Sequence, residues 1–259
     1  MDIDARAIEG THRTPWPQIA AFAVIATAVA YPFRNNVIDM KDRLVFGAPF
    51  LQAVLEGIGV LIAAAILTRG FRRFWRPATY LGDAPAHALV LWGIPVAVFG
   101  ALGINNDNGV DPHLFGLALG ATISVYCLLE ETGWRGFLQN ATTPLSRWKR
   151  YLVVGSIWYV WHLSFLDAQS SLASQVEFLL ILIVASYLLG SLVEKTNSVL
   201  VAASFHFVFN FLAFNQIGGV SDPGGRKLLL VGVVVLAWMP VLVHWNVRKK
   251  RLESARAGR

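Results

Sequence analysis

Charge is scarce in this chain. Of its 259 residues only 15% are Asp, Glu, Lys or Arg, against 55% apolar, whereas a soluble domain carries about a quarter charged residues. That shortage excludes a water-soluble enzyme and a disordered tail. A formal net charge of +6 does not make a nucleic-acid binder either, because the positive residues gather at the ends of apolar runs, as they do in membrane proteins. Cysteine is scarcer still: the single Cys127 excludes an internal disulfide and a cysteine-rich metal site. No HExxH zinc motif, no repeat of fixed period and no low-complexity stretch occurs. Aromatics are plentiful, with 9 Trp and 16 Phe, which suits interfacial belts and helix packing in lipid.

Crossing about 30 Å of hydrocarbon takes roughly 20 helical residues, and eight apolar runs of that order stand between polar punctuation. They are Pro17–Phe33, Phe46–Thr68, His87–Ile104, His113–Asn140, Tyr151–Leu166, Gln175–Val193, Ser198–Ile217 and Leu228–Val247. The first and fifth are short for a full span. Pro15 and Pro17 suit the first turn of a helix, and the first run lacks the small-residue cleavage site of a signal peptide. The expected fold class is all-α, a polytopic membrane protein of about eight transmembrane helices around a polar intramembrane cavity. Residues 1–16 read as a cytosolic N-terminal tail, 17–247 as a single membrane domain and 248–259 as a basic cytosolic C-terminal tail. With eight spans, sixteen of the 22 Lys and Arg fall on one side. These include Arg6, Arg13, Arg69, Arg72, Arg73 and Arg76, then Arg147, Lys149, Arg150 and Lys195, and the basic C-terminus. Only Arg34, Lys41, Arg43, Arg226 and Lys227 fall on the other. Positive charge collects on the cytosolic side, so both termini are expected there, and an odd number of spans would break the alternation.

Ionisable groups inside such runs are expensive, and each invites a functional explanation. The fourth run holds the densest set, Leu129-Glu130-Glu131-Thr132-Gly133-Trp134-Arg135. Glu131 and Arg135 are four apart, share a helix face and can pair; Glu130 is turned about 100° from its neighbour. The fifth run carries His162, with Trp158 one turn earlier. The seventh carries His206 and Asn210, again four apart. Taking about 1.5 Å of rise per residue, Glu130 lies about 15 Å from the cytosolic end of its helix and His162 about 16 Å above Tyr151; His206 and Asn210 lie about 13 and 19 Å above Asn197. Three helices thus deliver polar groups to one level of the membrane.

A carboxylate with an imidazole can activate water as general base and then general acid. A second imidazole and an amide are donors of the kind that hold a developing oxyanion. Together these parts describe hydrolysis of an acyl bond. Two carboxylates and two imidazoles are also metal ligands by type. A divalent metal such as zinc, held by Glu130, His162 and His206, therefore stays open as the alternative to a mechanism that requires no cofactor.

These residues resemble a known family. Glu130-Glu131-x-x-x-Arg135, then Trp158-x-x-x-His162, then His206-x-x-x-Asn210, in this order on successive membrane helices, resemble the CPBP (Abi) intramembrane proteases, which include the type II CAAX prenyl endopeptidases. The resemblance covers roughly Leu117 to Ile217, with Trp158 where the family commonly has Phe. It implies an intramembrane endopeptidase in which Glu130 activates the hydrolytic water, His162 assists, and His206 with Asn210 forms the oxyanion hole. Glu131 and Arg135 would be the pair that shapes the site. The implied partners are membrane lipids and a membrane-associated peptide or protein substrate, prenylated or not, with no nucleic acid; the oligomeric state is not encoded. The contrasting class is a non-enzymatic immunity, scaffold or transport protein using the same cluster for binding or packing. Transport would call for internal repeats with paired broken helices, and none is seen.

Other polar residues fit structural roles. Gln52 and Glu56 share a face of the second run and read as a structural hydrogen-bonding pair, although Glu56 could also line the cavity. Cys127 reads as an inert small hydrophobe. His87, His113 and His244 lie near run ends, within reach of interfacial water. The Arg69–Arg76 block and the basic C-terminus suit anionic headgroups.

Overall fold

The computed structural model describes residues 13–35, 37–38, 48–70, 79–164, 171–213 and 220–257. The expected N-terminal tail up to residue 12, Lys41, Arg43, Arg72, Arg73, Arg76 and Arg259, and the expected run ends Phe46, Leu166 and Ile217, lie outside the described residues. Each of the eight runs is a helix: α1 Trp16–Arg34, α2 Ala48–Gly70, α3 Pro85–Leu102, α4 Pro112–Ala141, α5 Arg147–His162, α6 Leu172–Thr196, α7 Val199–Ala213 and α8 Gly224–Ala257. Six of them are long and apolar enough to cross a membrane; α5, with 16 residues, and α7, apolar over Val199–Leu212, are shorter. The first run is longer than expected, at 19 residues, because its helix already begins at Trp16, with proline in the first turn. α8 continues through the basic residues to Ala257.

Local signals explain where the helices start and stop. Pro85 and Pro112 open α3 and α4, where a missing N–H costs nothing. The Asp111 carboxylate caps α4 by accepting from the His113 and Leu114 amides at 3.0 and 3.1 Å. Ser171 caps α6 in the same way, accepting from the Ser174 amide at 3.1 Å. α6 ends on Asn197, whose φ of 55° is the left-handed geometry that reverses a chain sharply after a helix; α7 begins two residues later.

The helix ends meet in an up-and-down order. The α6 residue Glu194 holds Arg147 and Arg150 of α5 at 3.2 and 2.6 Å. His87 Nε2 and His244 Nδ1 meet at 2.9 Å where α3 begins and α8 nears its end. At the opposite ends of those helices Asn105 donates to Asp222 at 2.6 Å and Arg226 to the Leu102 carbonyl at 3.1 Å. Large apolar side chains such as Leu172, Leu180, Val184, Leu228, Leu236 and Val243 point outward, as they must where lipid is the solvent.

Two apolar cores fill the bundle. One joins α1, α2, α5 and α6 with Trp134, Phe137 and Leu138 of α4. The other joins α3, α7 and α8 with Phe115, Leu119, Ile123 and Cys127 of α4. α4 serves both, and Glu130 and Glu131 stand between its two contributions. Close helix approach depends on small residues, as is usual in membranes. A Cβ on Gly155 would lie 2.6 Å from the Ile183 Cα, so Gly155→Val should cost about 1–3 kcal/mol of overpacking, read as a lower melting temperature in detergent. Gly93→Ala, at a position with open space around it, should leave that temperature unchanged or raise it.

Candidate active site

The six residues singled out by the motifs are all buried. Directly after Glu130 and Glu131 the α-helical pattern of α4 widens into a π turn, Thr132–Leu138, an irregularity frequent at functional sites. Two parallel stripes of side chains run past it. On the first, Trp134 donates its indole N–H to Glu130 Oε2 at 3.3 Å. On the second, Arg135 Nε pairs with Glu131 Oε2 at 3.2 Å, both side chains fully buried.

The α7 stripe faces the α4 pair. His206 Nδ1 lies 2.9 Å from Glu131 Oε1, and its Nε2 lies 3.9 Å from Glu130 Oε2. One imidazole therefore spans both carboxylates. One turn further, Asn210 donates its amide to Cys127 Sγ at 3.3 Å. Cys127 is thus the acceptor that fixes Asn210, a role beyond inert packing, and His206 and Asn210, expected to act together, each hold a different residue of α4. Arg135 reaches on to α6, donating to the Ala185 carbonyl at 3.5 Å, and its guanidinium lies 4.8 Å from the centre of the Trp158 ring.

His162 approaches from α5. Its Nδ1 lies 2.8 Å from the Trp158 carbonyl, and because a carbonyl can only accept, Nδ1 carries the hydrogen. In the neutral ring the lone pair is then on Nε2. The ring packs against Trp158, Trp161 and Phe178. It lies within electrostatic range of His206 and Arg34.

Residues 112–212, from the start of α4 to within one residue of the end of α7, match the family model Rce1-like, described as Type II CAAX prenyl endopeptidase Rce1-like. Over this stretch the chain is similar to that family. The resemblance carried by the three motifs therefore holds, and the Rce1-like region contains all six motif residues and the π turn. α1, α2, α3 and α8 lie outside it. No curated protein matches the chain.

Around the Rce1-like core the structure adds features that the motifs do not contain. Trp134 is a donor to Glu130 although its sequence position reads only as an aromatic in a span. Tyr126, one turn before Glu130, lies with its hydroxyl against the same carboxylate and within electrostatic range of Glu56 and Arg34. Gln52 donates to the Phe33 carbonyl, so it ties α2 to α1, in keeping with a structural role. Along α6, with Phe209 of α7 beside it, runs an apolar groove of about 890 Å³, lined by Leu172, Val176, Leu180, Val184 and Ala185, with Glu177 as its charged residue. Among the described residues no group of three or more His, Cys, Asp or Glu is arranged to hold a metal ion. Glu130, His162 and His206 do not form such a set.

Proposed function

We propose that this protein is an intramembrane endopeptidase that hydrolyses a peptide bond in a lipid-modified, membrane-associated substrate, with a prenylated CAAX-type C-terminus as the favoured class. The observation that carries this reading is the buried Glu130 carboxylate beside His206 Nε2, with the Glu131–Arg135 pair behind them. Water is placed between Glu130 and the scissile carbonyl; His162 Nε2 accepts one of its hydrogens and orients it. As the water oxygen bonds to the carbonyl carbon, its proton passes to Glu130. The carbonyl electrons move to oxygen, and that oxyanion is met by donors from α7. Asn210 has a second amide hydrogen besides the one given to Cys127. His206 supplies the second donor through Nε2, its ring set by the 2.9 Å approach of Nδ1 to Glu131 Oε1. The C–N bond then breaks, and Glu130 returns its proton to the leaving amine, the exchange of roles expected of general acid–base catalysis.

The apolar groove supports a lipid-modified substrate, since an isoprenoid or acyl chain laid along it lies beside Ala185, whose carbonyl Arg135 engages. The positive residues favour an arrangement with both termini cytosolic. In purified protein reconstituted into vesicles, a farnesylated C-terminal peptide should be cut at one internal bond, faster than the same peptide without its lipid, and a chelator should leave the rate unchanged. Chelator-dependent loss reversed by zinc would replace this mechanism with a metal-dependent one. Absence of any cut by the wild type would return the cluster to a binding or packing role.

A further inference from the structure

Arg34, the last residue of α1, stands outside the Rce1-like region and belongs to none of its motifs, yet it touches α4 and α5, the elements that carry Glu130 and His162. Its guanidinium sits 3.3 Å from the centre of the Trp161 ring. Nη1 donates to the Trp161 carbonyl at 3.4 Å, and Nη2 to the Tyr126 hydroxyl at 3.3 Å. The next residue, Asn35, donates to the Ser164 carbonyl at 3.1 Å. The Trp161 carbonyl is among the last carbonyls of α5, which have no partner within their own helix and attract cations. Arg34 thus closes the end of α5 at the residue before His162.

The second branch leads to Glu130. A phenol that accepts from Arg34 keeps its own proton to donate, and the Tyr126 hydroxyl lies against the Glu130 carboxylate. Together with the Trp134 indole, this places a donor one turn before and one turn after that carboxylate. α2 leaves room for the arrangement: a Cβ at Gly57 would lie 2.9 Å from the Tyr126 ring.

We infer that Arg34 and Tyr126 are positioning residues of the reaction, a strut that fixes the Glu130 carboxylate on α4 relative to His162 on α5. The inference rests on the peptidase reading above. A planar guanidinium suits the task because it stacks on one ring while its fork reaches two acceptors, which an ammonium cannot do.

The test uses the vesicle cleavage assay with the farnesylated peptide, together with melting temperatures. Tyr126→Phe should lower kcat by about 10- to 100-fold, the worth of one hydrogen bond to a charged group, with KM and melting temperature near wild type. Arg34→Ala should lose at least as much kcat, Arg34→Lys should recover little, and added guanidinium at millimolar concentration should restore part of the Arg34→Ala rate. Wild-type kcat in Tyr126→Phe and Arg34→Ala, while Glu130→Gln is inactive, would overturn the strut and leave the peptidase reading intact. A fallen melting temperature with no guanidinium rescue would overturn it too, by making Arg34 a purely structural clamp. Full activity of Glu130→Gln would remove the peptidase reading, and with it the strut's purpose.

Discussion

Glu130→Gln should abolish cleavage in a protein that still folds. The amide has nearly the volume of the carboxylate, and its carbonyl oxygen can still accept the Trp134 indole hydrogen, so the packing around α4 is kept. What it cannot do is take a proton from water. Loss of a positioned general base costs typically 10²- to 10⁴-fold in rate, and because the residue also returns the proton to the leaving amine, the upper part of that range is expected. The loss should fall on kcat, with KM near wild type, measured on the farnesylated peptide beside a melting curve. Retained full activity would remove Glu130 from the chemistry.

The second large effect is on stability. Arg135→Met removes the cation next to Glu131 in a place where neither side chain touches solvent, and breaking such a pair from one side costs about 3–5 kcal/mol because the remaining charge is stranded. His206 Nδ1, 2.9 Å from Glu131 Oε1, is the neighbour left beside that carboxylate. Removing the charge from the partner as well, in Glu131→Gln with Arg135→Met, should recover much of the loss, since a neutral pair has no buried charge to leave uncompensated. Recovery will be incomplete, because Arg135 also donates to the Ala185 carbonyl and lies over Trp158. A cycle of the two single variants and the double, followed by thermal unfolding in detergent, should give a coupling near the top of the 0.5–3 kcal/mol found for neighbouring residues. Strictly additive losses would show that the two side chains do not stabilise each other.

The eight helices were legible because apolar length is a direct signal in a chain with so few charges. Glu130, Glu131, Arg135, His162, His206 and Asn210 were legible because a polar residue in a membrane run stands out, and their common depth follows from the fixed rise of a helix. Other features carry no such signal. The π turn after Glu131 leaves no mark in the apolar pattern, and the close approach of Gly133 to Val60 of α2 shows only in the fold. Arg34 read as a loop cation, because it follows Phe33, the last residue of its run; only the folded arrangement shows that the end of α1 lies beside the end of α5. Cys127 and Trp134 read as packing because a thiol and an indole are mainly apolar, and their polar atoms become informative only when a partner is in place.

The contacts between α4 and α7 have a further consequence for how the bundle assembles. In lipid, apolar side chains gain little by leaving one greasy neighbour for another, so two apolar helices have few grounds for choosing among alignments one turn apart. Here Asn210 meets Cys127 and His206 meets Glu131, two rungs spaced by one turn on each helix. Sliding α7 by a turn would bring His206 to a thiol or Asn210 to Glu131, leaving a charge without its partner, much as a single buried polar residue fixes register in a coiled coil. The side chains assigned here to hydrolysis are therefore also the alignment marks of the fold. Selection for catalysis and selection for a unique assembly act on the same few atoms, which leaves these positions little freedom to vary for either purpose alone.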